Sequence, residues 1–291
     1  MSYARATDEV ELGPFGALDQ RWTISCPPGE LAVVLDELYA ALRVSGLAAT
    51  GTAHASYHLV PPDGGQPGKI ARDQEVVASR PTLAATVHTL VWAINRQVLE
   101  RSKRPLILHA AGAERDGRVL VLAAPSNAGK TTLVAGLADR GWGYLGDEAL
   151  AIATDGTVEG YPWPLTVRQG SFAVLEHLRP VTPPGLDGVF TTQWQLPMTE
   201  RACSGGPLAR LVLPRYDPDL EQPAVLHPLP ATEAIARLVP CTYAPEHGRL
   251  GTDRVERLAT LVERFPALAL TYRDGDAAGA CVEHACQTLP N

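Results

Sequence analysis

A chain of 291 residues, 45% apolar and 20% charged, has the length of about two domains and the material for a folded core, which excludes an intrinsically disordered chain. A formal charge of −7 argues against a general nucleic-acid binder, which needs a basic face, so no nucleic-acid partner is expected. Lysine is scarce: Lys69, Lys103 and Lys130 are the only three in the sequence, so any motif that demands a lysine is tested severely.

No stretch approaches 18 uninterrupted apolar residues, so no transmembrane helix and no membrane partner are expected. The first twelve residues carry Asp8, Glu9 and Glu11 and lack an apolar leader. Five scattered cysteines read as reduced thiols, and a cytoplasmic location is expected. Cys281, His284 and Cys286 lie close together but offer too few ligands for a recognisable metal site.

The first hundred residues read as a small α+β unit. Residues 10–12 and 22–25 are short strand candidates. Leu31, Val34, Leu35, Leu38 and Leu42 recur at helical spacing. Residues 54–60 alternate like a strand, and 61–68 form a Gly/Pro-rich loop. Pro81 stands where a long helix opens, at its first position, with Leu83, Val87, Leu90, Val91, Ile94 and Val98 on one face.

The pattern changes at 101–105, which places a boundary between an N-terminal domain, 1–103, and a second domain, 104–291. Two β-rich runs, 106–114 and 118–124, flank Asp116-Gly117, a strong hairpin signal. A helix is expected over 131–140, stopped by Gly141. Short strands follow at 143–145, 150–153 and 165–168, and residues 180–207 read as a long irregular loop. A strand at 208–213, helices at 232–239 and 252–265 with threonine caps, a strand at 268–272 and a helix at 276–287 complete the chain. Trp92, Trp142, Trp163 and Trp194 read as packing residues. The fold class is therefore α/β: a core with a mixed sheet, preceded by a smaller α+β domain.

The sharpest motif is Ala124-Pro125-Ser126-Asn127-Ala128-Gly129-Lys130-Thr131-Thr132. It matches a phosphate-binding P-loop except that Ala124 replaces the first glycine. The chemistry requires successive backbone N–H groups converging on phosphate oxygens, with a helix N-terminus aimed at the same anion. Lys130 would reach the terminal phosphates, and the Thr131 hydroxyl would ligate Mg²⁺. If Asp116-Gly117 form a two-residue turn, the ladder sets His109 opposite Ala124, beside the base of this loop; a bulge would void the inference. Asp147 and Glu148 end a short strand soon after the loop's helix. Asp147 is the candidate general base and Glu148 a metal or water ligand. With lysine so scarce, Arg168 and Arg215, each following a predicted strand, are candidates for bidentate phosphate contacts.

Leu108-His109-Ala110-Ala111, the loop, 144–148, 164–172 and 211–217 together resemble the catalytic domain of HPr kinase/phosphorylase. The likeness is nearer to the HPr-kinase-like proteins of bacterial peptide-modification gene clusters, such as lasso-peptide precursor kinases. It covers 104–291. The resemblance implies ATP- and Mg²⁺-dependent phosphoryl transfer to a serine hydroxyl of a peptide or protein. It also implies that Asp147 is the base and that His109 assists near the phosphates. HPr kinases assemble as hexamers, and a homo-oligomer is compatible with this reading. Asp147-Glu148 stands where HPr kinase proper has paired aspartates. The enzyme's glycine-rich signature is not evident around 168–170, which argues against HPr itself as acceptor and against reverse phosphorolysis. Other readings are a kinase of a small hydroxyl compound, a nucleotide-dependent switch without an acceptor, and a non-catalytic scaffold. No lysine follows an asparagine, which disfavours a Ras-type GTPase. Asp-Phe-Gly is absent, which disfavours a eukaryotic-type protein kinase.

Overall fold

The computed structural model describes residues 8–45, 54–181, 183, 186, 188–243 and 252–288. Residues 1–7, part of the first twelve read above, lie outside these, as do four positions of the 180–207 loop. The chain is α/β, with mixed sheets and several helices, and divides into two compact units. The first comprises Met1–Lys103 with Thr166–Phe172 and Glu176–Pro197; the second comprises Arg104–Leu165, Ala173–Leu175 and Met198–Asn291.

In the first unit, β1 (Val10–Ala17) and β2 (Gln20–Cys26) form a hairpin, α1 (Glu30–Leu38) follows, and β3 (Ala55–Val60), β4 (Gly68–Arg72) and β5 (Glu75–Arg80) complete a five-stranded sheet in chain order. The first two strands run longer than the alternation suggests. The β1–β2 register shifts between Leu12 and Phe15, around Gly13-Pro14, and the shift breaks the period of two. The β4–β5 hairpin escapes sequence reading because its turn, Asp73-Gln74, lacks glycine although both residues have positive φ. Helix α2 (Leu83–Arg101) buries Val87, Leu90, Val91, Ile94 and Val98. Its N-cap is Thr82, whose hydroxyl accepts from the Ala85 N–H, so Pro81 precedes the helix rather than opening it. Trp92 is 57% exposed and lies against the Arg96 guanidinium, so it is not a core residue; Trp142, Trp163 and Trp194 are buried.

In the second unit, β6 (Ile107–Leu108), β7 (Ala110–Arg115) and β8 (Arg118–Ala123) lead into α3 (Lys130–Asp139), then β9 (Gly143–Gly146), β10 (Leu150–Ile152) and β11 (Thr157–Glu159). Next in the chain come β12 (Leu165–Arg168) and β13 (Gln193–Leu196), a separate two-stranded sheet that, Leu165 apart, belongs to the first unit. Strand β14 (Gly205–Tyr216), β15 (Ala224–Pro228), α4 (Ala231–Leu238), α5 (Thr252–Arg264), β16 (Ala267–Tyr272) and α6 (Gly275–Gln287) end the chain. The stretch read as an irregular loop thus contains β13 and the start of β14. The cap of α4 is Pro230, with no side-chain hydrogen bond, so Thr232 does not cap it.

The nine-stranded sheet of this unit has the order β6-β10-β11-β14-β8-β7-β9, with β16 beside β14 and β15 beside β16. Strands β8, β14 and β16 are mutually parallel, and β9 runs the same way, being antiparallel to β7, which is antiparallel to β8. The carboxyl ends of four strands therefore reach one edge. Val119, Val121, Leu211, Leu213, Ala267 and Ala269 share one core cluster with Leu238, Leu258, Leu261 and Val262 of α4 and α5. Helices α3 and α6 pack against each other; α3 also contacts β7, and α6 contacts β15 and β16. No described helix is long and apolar enough to cross a membrane.

Candidate functional site

The Asp116-Gly117 turn has positive φ at both residues, 54° and 73°, as a two-residue hairpin matched to strand twist requires. Arg115 pairs with Arg118 and the ladder runs without a shift to Ala110 and Ala123. The same register carries His109 to the level of Ala124, where β8 gives way to the 124–132 loop. His109 is further fixed by its backbone N–H, which donates to the Cys241 carbonyl at 2.6 Å.

The loop turns sharply into α3. Asn127 and Gly129 both have positive φ, 68° and 85°. At Gly129 no side chain fits: a Cβ would stand 1.9 Å from the Tyr272 hydroxyl oxygen. Gly129 is the residue immediately preceding α3, so the free N–H groups of the first helical turn lie at the end of this loop.

Lys130 is 5% exposed, and its ammonium donates to three acceptors: the Ala124 carbonyl at 2.7 Å, the Pro125 carbonyl at 3.0 Å and His109 Nε2 at 3.0 Å. These partners define the state of His109. An ammonium can only donate, so Nε2 accepts; Nδ1 lies 2.9 Å from the Glu148 carbonyl oxygen, which can only accept, so Nδ1 carries the proton. The imidazole is therefore neutral, and a second proton on Nε2 would face the Lys130 charge. Ser126 Oγ stands 3.4 Å from the same Nε2.

Asp147 follows β9 at the same edge and is 5% exposed. The Thr131 hydroxyl donates to its Oδ2 at 2.8 Å, and the Tyr144 hydroxyl lies 3.0 Å from its Oδ1 and 2.9 Å from the Trp163 carbonyl. Burial, with the Asp147 charge beside it, holds the Tyr144 phenol well above its ordinary pKa, so it stays a proton donor. Glu148 turns elsewhere: its Oε1 accepts from the Tyr243 hydroxyl at 2.8 Å.

Tyr243 is the residue that sequence reading missed. Its hydroxyl is 3.0 Å from His109 Nδ1 and its ring meets the imidazole edge-on, centroids 5.9 Å apart. Burial and then the nearby Glu148 carboxylate push its pKa up strongly. The segment before it is pinned to β6, with Thr242 bridged to Leu108 and the Tyr243 N–H donating to the Ile107 carbonyl. No spacing in the sequence signals a contact over 134 residues.

Of the other residues singled out in the sequence, Pro125, Ala128 and Thr132 lie in the loop and its first helical turn. Arg215 stands at the carboxyl end of β14, exposed, with Asp217 3.3 Å away. Arg168 closes β12 in the first unit, whereas every side chain of the cluster above belongs to the second. Among the described residues no group of three or more His, Cys, Asp or Glu is arranged to hold a metal, Cys281, His284 and Cys286 included, and all five cysteines are free thiols.

The chain matches no protein-family model and no curated protein.

Proposed function

We propose that this chain is an ATP- and Mg²⁺-dependent kinase that transfers the γ-phosphate to a serine hydroxyl of a peptide or protein, built on a phosphate-binding loop and related to the HPr-kinase-like proteins. The observation that carries this reading is the hydrogen bond from Thr131 to Asp147. It joins the first turn of the helix after the loop to a buried carboxylate from another strand end. A fortuitous Gly-Lys-Thr would not bring an acid, a histidine and a lysine to one strand-end edge.

The residues fit a magnesium ion by their chemistry. Thr131 gives its only proton to Asp147, which leaves the oxygen lone pairs for a hard cation; Glu148, whose Oε1 accepts from Tyr243, would have to turn from that bond to add a second hard oxygen donor. Bound there, Mg²⁺ would neutralise charge on the phosphate oxygens. The chain's own groups supply the rest. Loop N–H groups hold the phosphates. Lys130 exchanges one or more of its three present acceptors for phosphate oxygens. Asp147 takes the proton of the acceptor hydroxyl. His109, kept neutral, accepts from Lys130 and orients it.

Calorimetric titration of ATP in the presence of Mg²⁺ tests the reading at its base. Wild-type protein is expected to bind, and Lys130→Ala protein to bind at least tenfold more weakly. Equal affinities would overturn the role of the loop.

A further inference from the structure

Tyr216 ends β14 at the same edge as the 124–132 loop and is 51% exposed. It is not loose. Its ring packs at 68° against Tyr272, centroids 5.6 Å apart, and Tyr272 is buried with its hydroxyl 3.5 Å from the Ala128 carbonyl. Tyr216 Cβ lies 3.9 Å from where a Cβ on Gly129 would be. A held, half-exposed aromatic side chain thus stands immediately beside the loop.

Its side of the loop matters. Across the sheet the order is β9, β7, β8, β14, β16. Asp147 follows β9, on one side of the loop after β8; Tyr216 and Tyr272 end β14 and β16, on the other. A nucleoside triphosphate with its terminal phosphate at Asp147 carries its base at the opposite end of the molecule, and β14 lies on the opposite side of the loop. We propose that Tyr216 is the nucleobase platform of the site, with Tyr272 as the ring that holds it upright. The ligand class is a nucleoside triphosphate, recognised at the base by stacking rather than by hydrogen-bond readout. This inference rests on the kinase reading above, because it needs phosphates in the loop.

Base–aromatic stacking lost to alanine weakens binding by roughly tenfold or more. The test is calorimetric titration of ATP and of inorganic tripolyphosphate, both with Mg²⁺, into wild-type, Tyr216→Ala and Tyr216→Phe proteins. The expected result is that Tyr216→Ala loses about tenfold in ATP affinity, that its tripolyphosphate affinity equals the wild type's, and that Tyr216→Phe binds ATP like the wild type. Unchanged tripolyphosphate binding also shows that the alanine variant is folded. If Tyr216→Ala binds ATP as the wild type does while both bind tripolyphosphate, the platform is refuted and the phosphate loop stands. If Tyr216→Ala loses both ligands equally, Tyr216 supports the loop and not a base, and the proposal fails. If wild type binds neither ligand, the loop reading falls and takes the platform with it.

Discussion

The ammonium of Lys130 donates to Nε2 of His109 across 3.0 Å, and the same ammonium donates to two carbonyls of its own loop. A buried charge is tolerated only when its hydrogen-bonding capacity is used, and here all three N–H groups have acceptors. The loop is therefore held in shape by the side chain that the proposed function brings to the phosphates.

Replacing Lys130 by alanine should do two things. Transfer should be abolished and nucleotide binding weakened. The Ala124 and Pro125 carbonyls, robbed of their donor, should cost about 1–3 kcal/mol of stability, read as a lower denaturation midpoint. A variant with wild-type stability would show that these bonds are replaced by water at no cost.

Asp147→Asn keeps the size of the side chain. It is expected to bind ATP like the wild type and to transfer phosphate about 10²–10⁴-fold more slowly, the usual range for a lost general base. Full transfer by the purified variant would remove Asp147 from that role.

His109→Ala should fold and should transfer more slowly, since Lys130 loses the acceptor that orients it. Tyr243→Phe keeps the ring contact with His109 but gives up the hydroxyl that joins Nδ1 to Glu148. A smaller fall in kcat with little change in KM for ATP is expected. Steady-state kinetics identical to wild type in both variants would return His109 and Tyr243 to packing.

Gly129→Ala meets two obstacles, a positive φ worth about 1–2 kcal/mol for a side chain and the Tyr272 hydroxyl at 1.9 Å. Nucleotide binding should be lost. Tyr272→Phe in the same chain removes the hydroxyl and leaves the ring carbon at 3.1 Å, so the double variant should recover part of the stability in chemical denaturation. No recovery would show that the hydroxyl clash is not what destabilises Gly129→Ala.

Burial pushes the Cys203 thiol up to about 12, with the Glu114 charge adding to the effect, and those of Cys26 and Cys286 to about 11. A raised folded-state pKa stabilises below the unfolded value, near 9, and that stability is lost as pH rises toward 11–12. Denaturation midpoints should therefore fall between pH 9 and pH 11, less steeply in Cys203→Ala. A midpoint flat over this window would contradict the assignment.

What the sequence made legible follows its periodicities. The Asp-Gly turn set the β7–β8 register, and with it the meeting of His109 and the loop, because the hairpin geometry is local. With three lysines in the chain, Lys130 stands out as the one inside a motif. Strands β11 and β15 were invisible: they are three and five residues long and lie among turn-forming residues. Tyr243 and the Tyr216–Tyr272 pair could not be found from spacing, since each contact joins elements brought together only by sheet order. Arg168 ends a strand, a cue that says nothing about which unit the strand joins.

Phosphoryl transfer to serine is read by offering purified protein, with Mg²⁺ and γ-labelled ATP, a randomised serine-peptide library and analysing the products by mass spectrometry. Phosphoserine peptides are expected with the wild type and none with Asp147→Asn. Wild-type protein that yields ADP without phosphoserine, or neither product, is not a serine kinase.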